Sequence, residues 1–225
     1  MAIQQHLNQA VARPEARGLA VNKVLKNTYA LLAMTLLFSA ATAGLSMALN
    51  WPHPGLIITL VGYFGLLFLT ARFRNSGLGL LLVFALTGFM GLTLGPIVSY
   101  YASAVPNGHQ LVMLAMGGTG IIFLGLSGYV LTTRKDFSFI GGLLFSGILV
   151  AFLAGLAAVI FGIPALSLAV SAMFILLMSG LILYQTSEII HGGETNYIMA
   201  TVTLFVAIYN LFTSLLHILG IFGDE

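Results

Sequence analysis

The residues best equipped for chemistry lie near the end of the chain, in Glu188-Ile-Ile-His191-Gly192-Gly193-Glu194-Thr195-Asn196-Tyr197. Glu188, His191 and Glu194 follow one another at spacings of three. A Glu and a His three apart share one helix face, and both side chains can ligate a metal. A closed site wants about four ligands, and the only other acids expected on the same side are Asp136 and Glu15, so the metal set is incomplete. The glycines offer a structural account of the same string. A helix can stop near His191 with the imidazole at the negative end of its dipole, Gly192 or Gly193 in a left-handed C-cap, and Thr195 or Asn196 capping the next helix. That reading makes the string a turn and an interaction surface and calls for no cofactor.

Two other combinations are weaker. Gly125-Leu-Ser127-Gly128 has the form found around an intramembrane serine nucleophile, and His217 could serve as its base. Depth separates them: Ser127 falls about 7 Å from one end of its helix and His217 about 30 Å from the same side at 1.5 Å per residue, whereas nucleophile and base must approach to about 3 Å. Gly118-Thr-Gly120 follows no strand and lies within an apolar stretch, so it is no dinucleotide loop. Asn210 falls near the middle of the last apolar segment, where an unpaired amide is costly, and is expected to bond to a neighbouring helix.

The elements that must position these residues follow from composition. Charged residues are 6% of the chain and hydrophobic residues 59%, against about 25% charged in a soluble domain, so most of the surface faces the lipid bilayer. Cysteine is absent, which removes disulfides and thiolate chemistry. Apolar segments run Ala30 to Leu49, Gly55 to Ala71, Leu78 to Tyr101, Leu111 to Thr132, Phe139 to Phe161, Pro164 to Ser187 and Tyr197 to Phe222. The fold class is therefore an all-α polytopic membrane protein, a bundle of seven helices over residues 27–225. Residues 1–26 lack periodicity, carry an Arg13-Pro14-Glu15-Ala16-Arg17 run, and are read as a flexible tail.

All eight Lys and Arg residues fall before helix one, after helix two or after helix four, on one face of the bundle. Basic residues in short loops stay in the cytoplasm, which predicts a cytoplasmic N-terminus and an external C-terminus. Scattered over several loops they form no stripe for nucleic acid. Small residues four apart in Gly91-Leu-Thr-Leu-Gly95 and Ala151-Phe-Leu-Ala-Gly155 allow close helix contact, and Pro96 removes a backbone hydrogen bond inside helix three. No Asp, Glu, Lys or Arg is expected near the bilayer centre, where proton relays and ion-coupled carriers usually need one.

Several strings together resemble a known family. They are Lys26-Asn27-Thr28-Tyr29, Thr132-Thr-Arg134-Lys135-Asp136-Phe-Ser138-Phe139, His191-Gly-Gly-Glu-Thr-Asn-Tyr197, and Tyr209-Asn210-Leu-Phe212 with Leu215 to Gly220. They resemble the Bax inhibitor (TMBIM) family, and within it the bacterial inner-membrane modulators of the FtsH protease. The resemblance implies seven helices with the last one central, and a non-enzymatic regulator that binds an FtsH-type membrane protease. The alternative it implies is a pH-sensitive calcium or cation leak, which in some members uses an acid on helix six and another on helix seven. Here Gln185 and Ala207 occupy those positions, and an amide and a methyl can neither share a proton nor hold calcium as two carboxylates do. Glu188, His191, Gly192, Gly193, Glu194, Asn196, Tyr197 and Asn210 remain as candidates for partner contact or gating.

Overall fold

The computed structural model describes residues 2–104 and 107–223, with side chains from Gly18 onward. Among the described residues the chain forms seven α-helices: α1 (Ala2–Ala48), α2 (Leu56–Arg72), α3 (Gly77–Ala104), α4 (Gly108–Thr133), α5 (Gly141–Phe161), α6 (Pro164–His191) and α7 (Tyr197–Phe222). A 3-10 turn, Ser138–Ile140, leads into α5. Counting α1 from Gly18, six helices are long and apolar enough to cross a membrane, and the 17-residue α2 is shorter. Large apolar side chains such as Leu37, Phe68, Phe145, Leu176 and Phe161 are exposed, as the outer surface of a bundle in lipid requires.

The beginning of the chain is helical in its backbone. Residues read as a flexible tail continue α1 as helical backbone from Ala2, so no element boundary falls at Lys26. Alanine, glutamine, leucine, lysine and arginine in this segment are all strong helix formers, and missing amphipathic periodicity does not cancel that preference. Met1 and the side chains of residues 2–17, Glu15 among them, lie outside the described residues.

Packing follows the small residues. On α3, a Cβ at Gly91 would run into the Ser39 carbonyl and Thr42 of α1, and one at Gly95 into the Ala43 carbonyl and Ser46. The two glycines therefore set the closeness of α1 and α3. Pro96 has no N–H to give the carbonyl of Leu92, one turn earlier, and Ser46 Oγ on α1 donates to that carbonyl instead at 3.0 Å. The proline and the close approach are thus one device, since only a nearby helix can re-satisfy the freed acceptor.

The last helix is central, packing against α1, α3, α4 and α6. Leu204, Phe205, Leu211 and Leu216 are fully buried, as are Ala200 and Ala207. Lipid is as apolar as a leucine side chain, so close packing and not apolarity puts a helix in the middle of the others. By contrast α5 buries only Leu144, Ala151 and Ala158 and lies at the periphery against α6.

Hydrogen bonds fix which loops share an end of the bundle. Asn196, in the α6–α7 turn, donates through Nδ2 to the Arg74 carbonyl at 3.1 Å and to Asn75 Oδ1 at 2.7 Å. The Phe137 amide donates to Ser187 Oγ at 2.9 Å. The turn therefore lies beside the loops that carry Arg72, Arg74, Arg134 and Lys135, and this is the basic end of the bundle.

Candidate functional site

At the basic end, α6 stops as its glycines dictate. Gly192 takes the left-handed conformation (φ 77°, ψ 20°), and the Gly193 and Glu194 amides both donate to the Glu188 carbonyl, at 2.8 and 3.1 Å. A left-handed residue closing the last turn satisfies carbonyls that would otherwise be orphaned. Asn196 then caps α7 by accepting from the Met199 amide at 3.0 Å. Its backbone N–H is in turn held by Glu194 Oε1 at 2.7 Å.

The three spaced side chains are not brought together. His191 Nδ1 points back to the Ser187 carbonyl at 2.9 Å, with Ser187 Oγ at 3.3 Å, so Nδ1 carries the proton. Glu194 holds the Asn196 amide, and the Glu188 carboxylate lies over Gly193, where any Cβ would overlap it. Among the described residues no three His, Asp or Glu side chains gather as a metal site would need. What the string builds is a rigid turn. Asp136, in the facing loop, accepts from the Ser138 amide at 2.8 Å, and that bond, the Ser138 hydroxyl and the nearby His191 hold its carboxyl below the usual value. Between the turn and α1 lies a cavity of about 400 Å³ lined by Val21, Lys23, Asn27, Gly192, Glu194 and Tyr197, among others.

One layer further in, three hydroxyls from three helices meet. Tyr29 on α1 donates to Ser127 Oγ on α4 at 3.0 Å, and Thr186 Oγ1 on α6 lies 3.3 Å from the Tyr29 hydroxyl and 3.4 Å from Ser127 Oγ. Sequence reasoning misses this triad, although Ser127 has the surroundings of a nucleophile and Tyr29 sits in one of the family strings. Its signal is a polar residue in each of three apolar helices, and only tertiary structure says that they coincide. Ser127 is thus occupied by partners other than a base. His217 instead meets Ser171 Oγ at 2.7 Å, and Ser171 lies on α6 about 22 Å along the axis from Thr186.

Gln185, beside Thr186, is 5% exposed, and its Nε2 has no hydrogen-bond partner among the described residues; Thr28 Oγ1, beside Tyr29, is the other such atom. Ala207 is fully buried and packs in a cluster with Met178, Ile182 and Leu211. The two positions that the resemblance singles out are therefore a desolvated amide and a sealed methyl. Asn210 corrects another expectation: its Nδ2 donates at 2.8 Å to Val206 of its own helix, one turn back, not to a neighbouring helix. A mid-helix asparagine can satisfy itself in this way because the i−4 carbonyl is within reach.

Comparison with known proteins finds relatives along nearly the whole chain. The family model described as "Inhibitor of apoptosis-promoting Bax1" matches residues 21–224. A relative from Escherichia coli K12, named "Modulator of FtsH protease YccA", is 54% identical over 202 residues, 90% of this chain and 91% of that one. An uncharacterized protein of Pseudomonas aeruginosa is 52% identical over 222 residues, 99% of this chain and 98% of its own length. A membrane protein of Vibrio cholerae is 46% identical over 210 residues, covering 93% and 94% of the two chains. Seven helices around a central last one, with family similarity over nearly their whole extent, place the chain in the Bax inhibitor family of multi-pass membrane proteins.

Proposed function

We propose that this protein is a non-enzymatic regulator of the bacterial inner membrane that binds an FtsH-type membrane protease and modulates its degradation of other membrane proteins. The observation that carries the reading is the 54% identity, over nine-tenths of both chains, with a protein named as a modulator of that protease. The site chemistry is compatible with it. Ser127 is engaged by Tyr29 and Thr186, His217 is engaged by Ser171, and the turn from Glu188 to Tyr197 is built for rigidity.

In this reading the basic end faces the cytoplasm, as basic loops do, and the C-terminus lies outside. The protease then meets the surface formed by the start of α1, the α6–α7 turn and the cavity between them. Mild crosslinking in vivo followed by purification tests the partner: co-purification of the protease is expected, and its consistent absence rejects the proposal. Deleting residues 1–20 is expected to lengthen the protein's own half-life if the N-terminal segment is the handle for degradation, and an unchanged half-life removes that role.

The calcium or cation leak requires acids that this chain lacks at Gln185 and Ala207. Reconstituted vesicles separate the two readings, with no flux above empty liposomes expected at neutral or acidic pH.

A further inference from the structure

A second polar region, which includes Asn210, lies about halfway through the membrane. A cavity of about 530 Å³ opens between α2, α3, α5, α6 and α7. Its volume is that of a small-molecule site. α2 and α5 do not pack along their lengths and meet there through the rings of Phe64 and Phe152, 5.6 Å apart. The rim residues Phe64, Phe145 and Leu149 are exposed, so the mouth faces lipid.

The floor of this cavity is polar. Asn210, Tyr209, Thr93 and Tyr63 all line it. Asn210 is about 20 Å from the start of α7 and about 18 Å from its end, which is mid-bilayer depth. Thr93 donates to its own Met90 carbonyl at 2.8 Å, and the Tyr209 hydroxyl stands 3.4 Å from Thr93 Oγ1. Asn210 spends one N–H on Val206. Among the described residues its Oδ1 accepts nothing and the Tyr63 hydroxyl makes no hydrogen bond. An amide oxygen and a phenol with unspent capacity, in hydrocarbon, favour a partner that brings its own hydrogen-bonding group.

We infer that this cavity binds a lipid-soluble amphiphile, an apolar chain carrying a hydroxyl that reaches mid-membrane depth. A hydroxyl both gives and takes a proton, so it can donate to Asn210 Oδ1 while accepting from Tyr63. The aromatic walls, Phe89 and Phe174 among them, take the chain. The dimensions favour a small molecule over a partner helix: the lining residues of α5 and α6, 145–152 and 174–181, each span about 11 Å, whereas a docked helix would need a groove across most of a core about 30 Å thick.

The test uses the full chain in phosphatidylcholine nanodiscs with a photoactivatable dodecanol and the matching dodecane lacking the hydroxyl. The alcohol is expected to label α2 and α5 around Phe64 and Leu149, and unlabelled dodecanol to compete. Combining Tyr63→Phe with Asn210→Leu should lower alcohol labelling about tenfold and leave alkane labelling unchanged. Should that variant fail to fold, Leu149→Trp at the exposed rim should block the mouth and lower alcohol labelling on its own. Equal labelling by alcohol and alkane, labelling spread over all outward faces, or labelling indifferent to these substitutions in folded protein overturns the inference. So does protection of the cavity by a membrane-spanning peptide with a central Asn when dodecanol gives none.

Discussion

The basic end and the mid-membrane cavity use similar polar residues to opposite effect. At the basic end, Ser187, His191, Glu194 and Asn196 all have named partners, and Asn196 alone reaches the α2–α3 loop, α7 and its own turn. In the cavity, Tyr63 and Asn210 keep groups idle. Hydrogen-bond capacity spent on the protein builds a fixed surface, whereas capacity left over builds a receptive one. The first suits docking of another protein, and the second suits a ligand that arrives through the bilayer.

The sharpest way to break this contrast compares two acids one turn apart on α7. Ala207→Asp puts a carboxylate against Met178, Ile182 and Leu211 with no room for water. It is expected to destabilise by about 3 kcal/mol, the scale measured for an ionisable group at the centre of a membrane helix. Asn210→Asp faces the open cavity and should cost clearly less. Thermal unfolding in detergent measures both, and equal losses would mean that the cavity is no more receptive than the sealed core.

The next effect belongs to the turn. Asn196→Ala removes the α7 cap together with the bonds to the Arg74 carbonyl and Asn75. A lost cap costs about 1 kcal/mol and up to about 2. The expected loss is at the upper end, with faster amide exchange in residues 74–76. A variant with wild-type stability and exchange would show that the turn is held by its glycines alone.

The two regions were not equally legible in the sequence. Helix number, the Gly91/Gly95 contact and the turn at Gly192-Gly193 could be read because hydrocarbon length, small residues and caps act locally, whereas the central place of the last helix came only with the family resemblance. The helical backbone at the start of α1 has its signal in helix propensity and none in periodicity. The Glu188, His191 and Glu194 spacing suggested convergence, but α6 ends immediately after His191 and turns Glu194 away. The triad of Tyr29, Ser127 and Thr186 and the cavity floor of Tyr63, Thr93 and Asn210 each join residues scattered along the chain, and helix packing alone decides which of them meet. Asn210 shows the limit well: sequence places it in mid-membrane, but whether it reaches sideways or back along its own helix depends on what stands beside it.

The smallest effect gives the cleanest comparison, because it removes the same atom in two places. Tyr29→Phe deletes a hydroxyl that donates to Ser127 at 3.0 Å and touches Thr186. It leaves Ser127 Oγ only the longer contact to Thr186 Oγ1 at 3.4 Å and should cost about 1 kcal/mol. Tyr63→Phe deletes a hydroxyl that bonds to no group among the described residues, so its effect on stability should be close to zero, or slightly favourable as a desolvated polar atom is lost. The signs should separate in unfolding experiments on protein freed of added amphiphile. Adding dodecanol should then raise the unfolding midpoint of wild type and of Tyr29→Phe equally and that of Tyr63→Phe by less, because a ligand that loses one of its two hydrogen bonds to the folded state shifts the equilibrium less. If the two substitutions lose the same stability, the Tyr63 hydroxyl is already committed within the fold and the contrast between a spent and a receptive region fails.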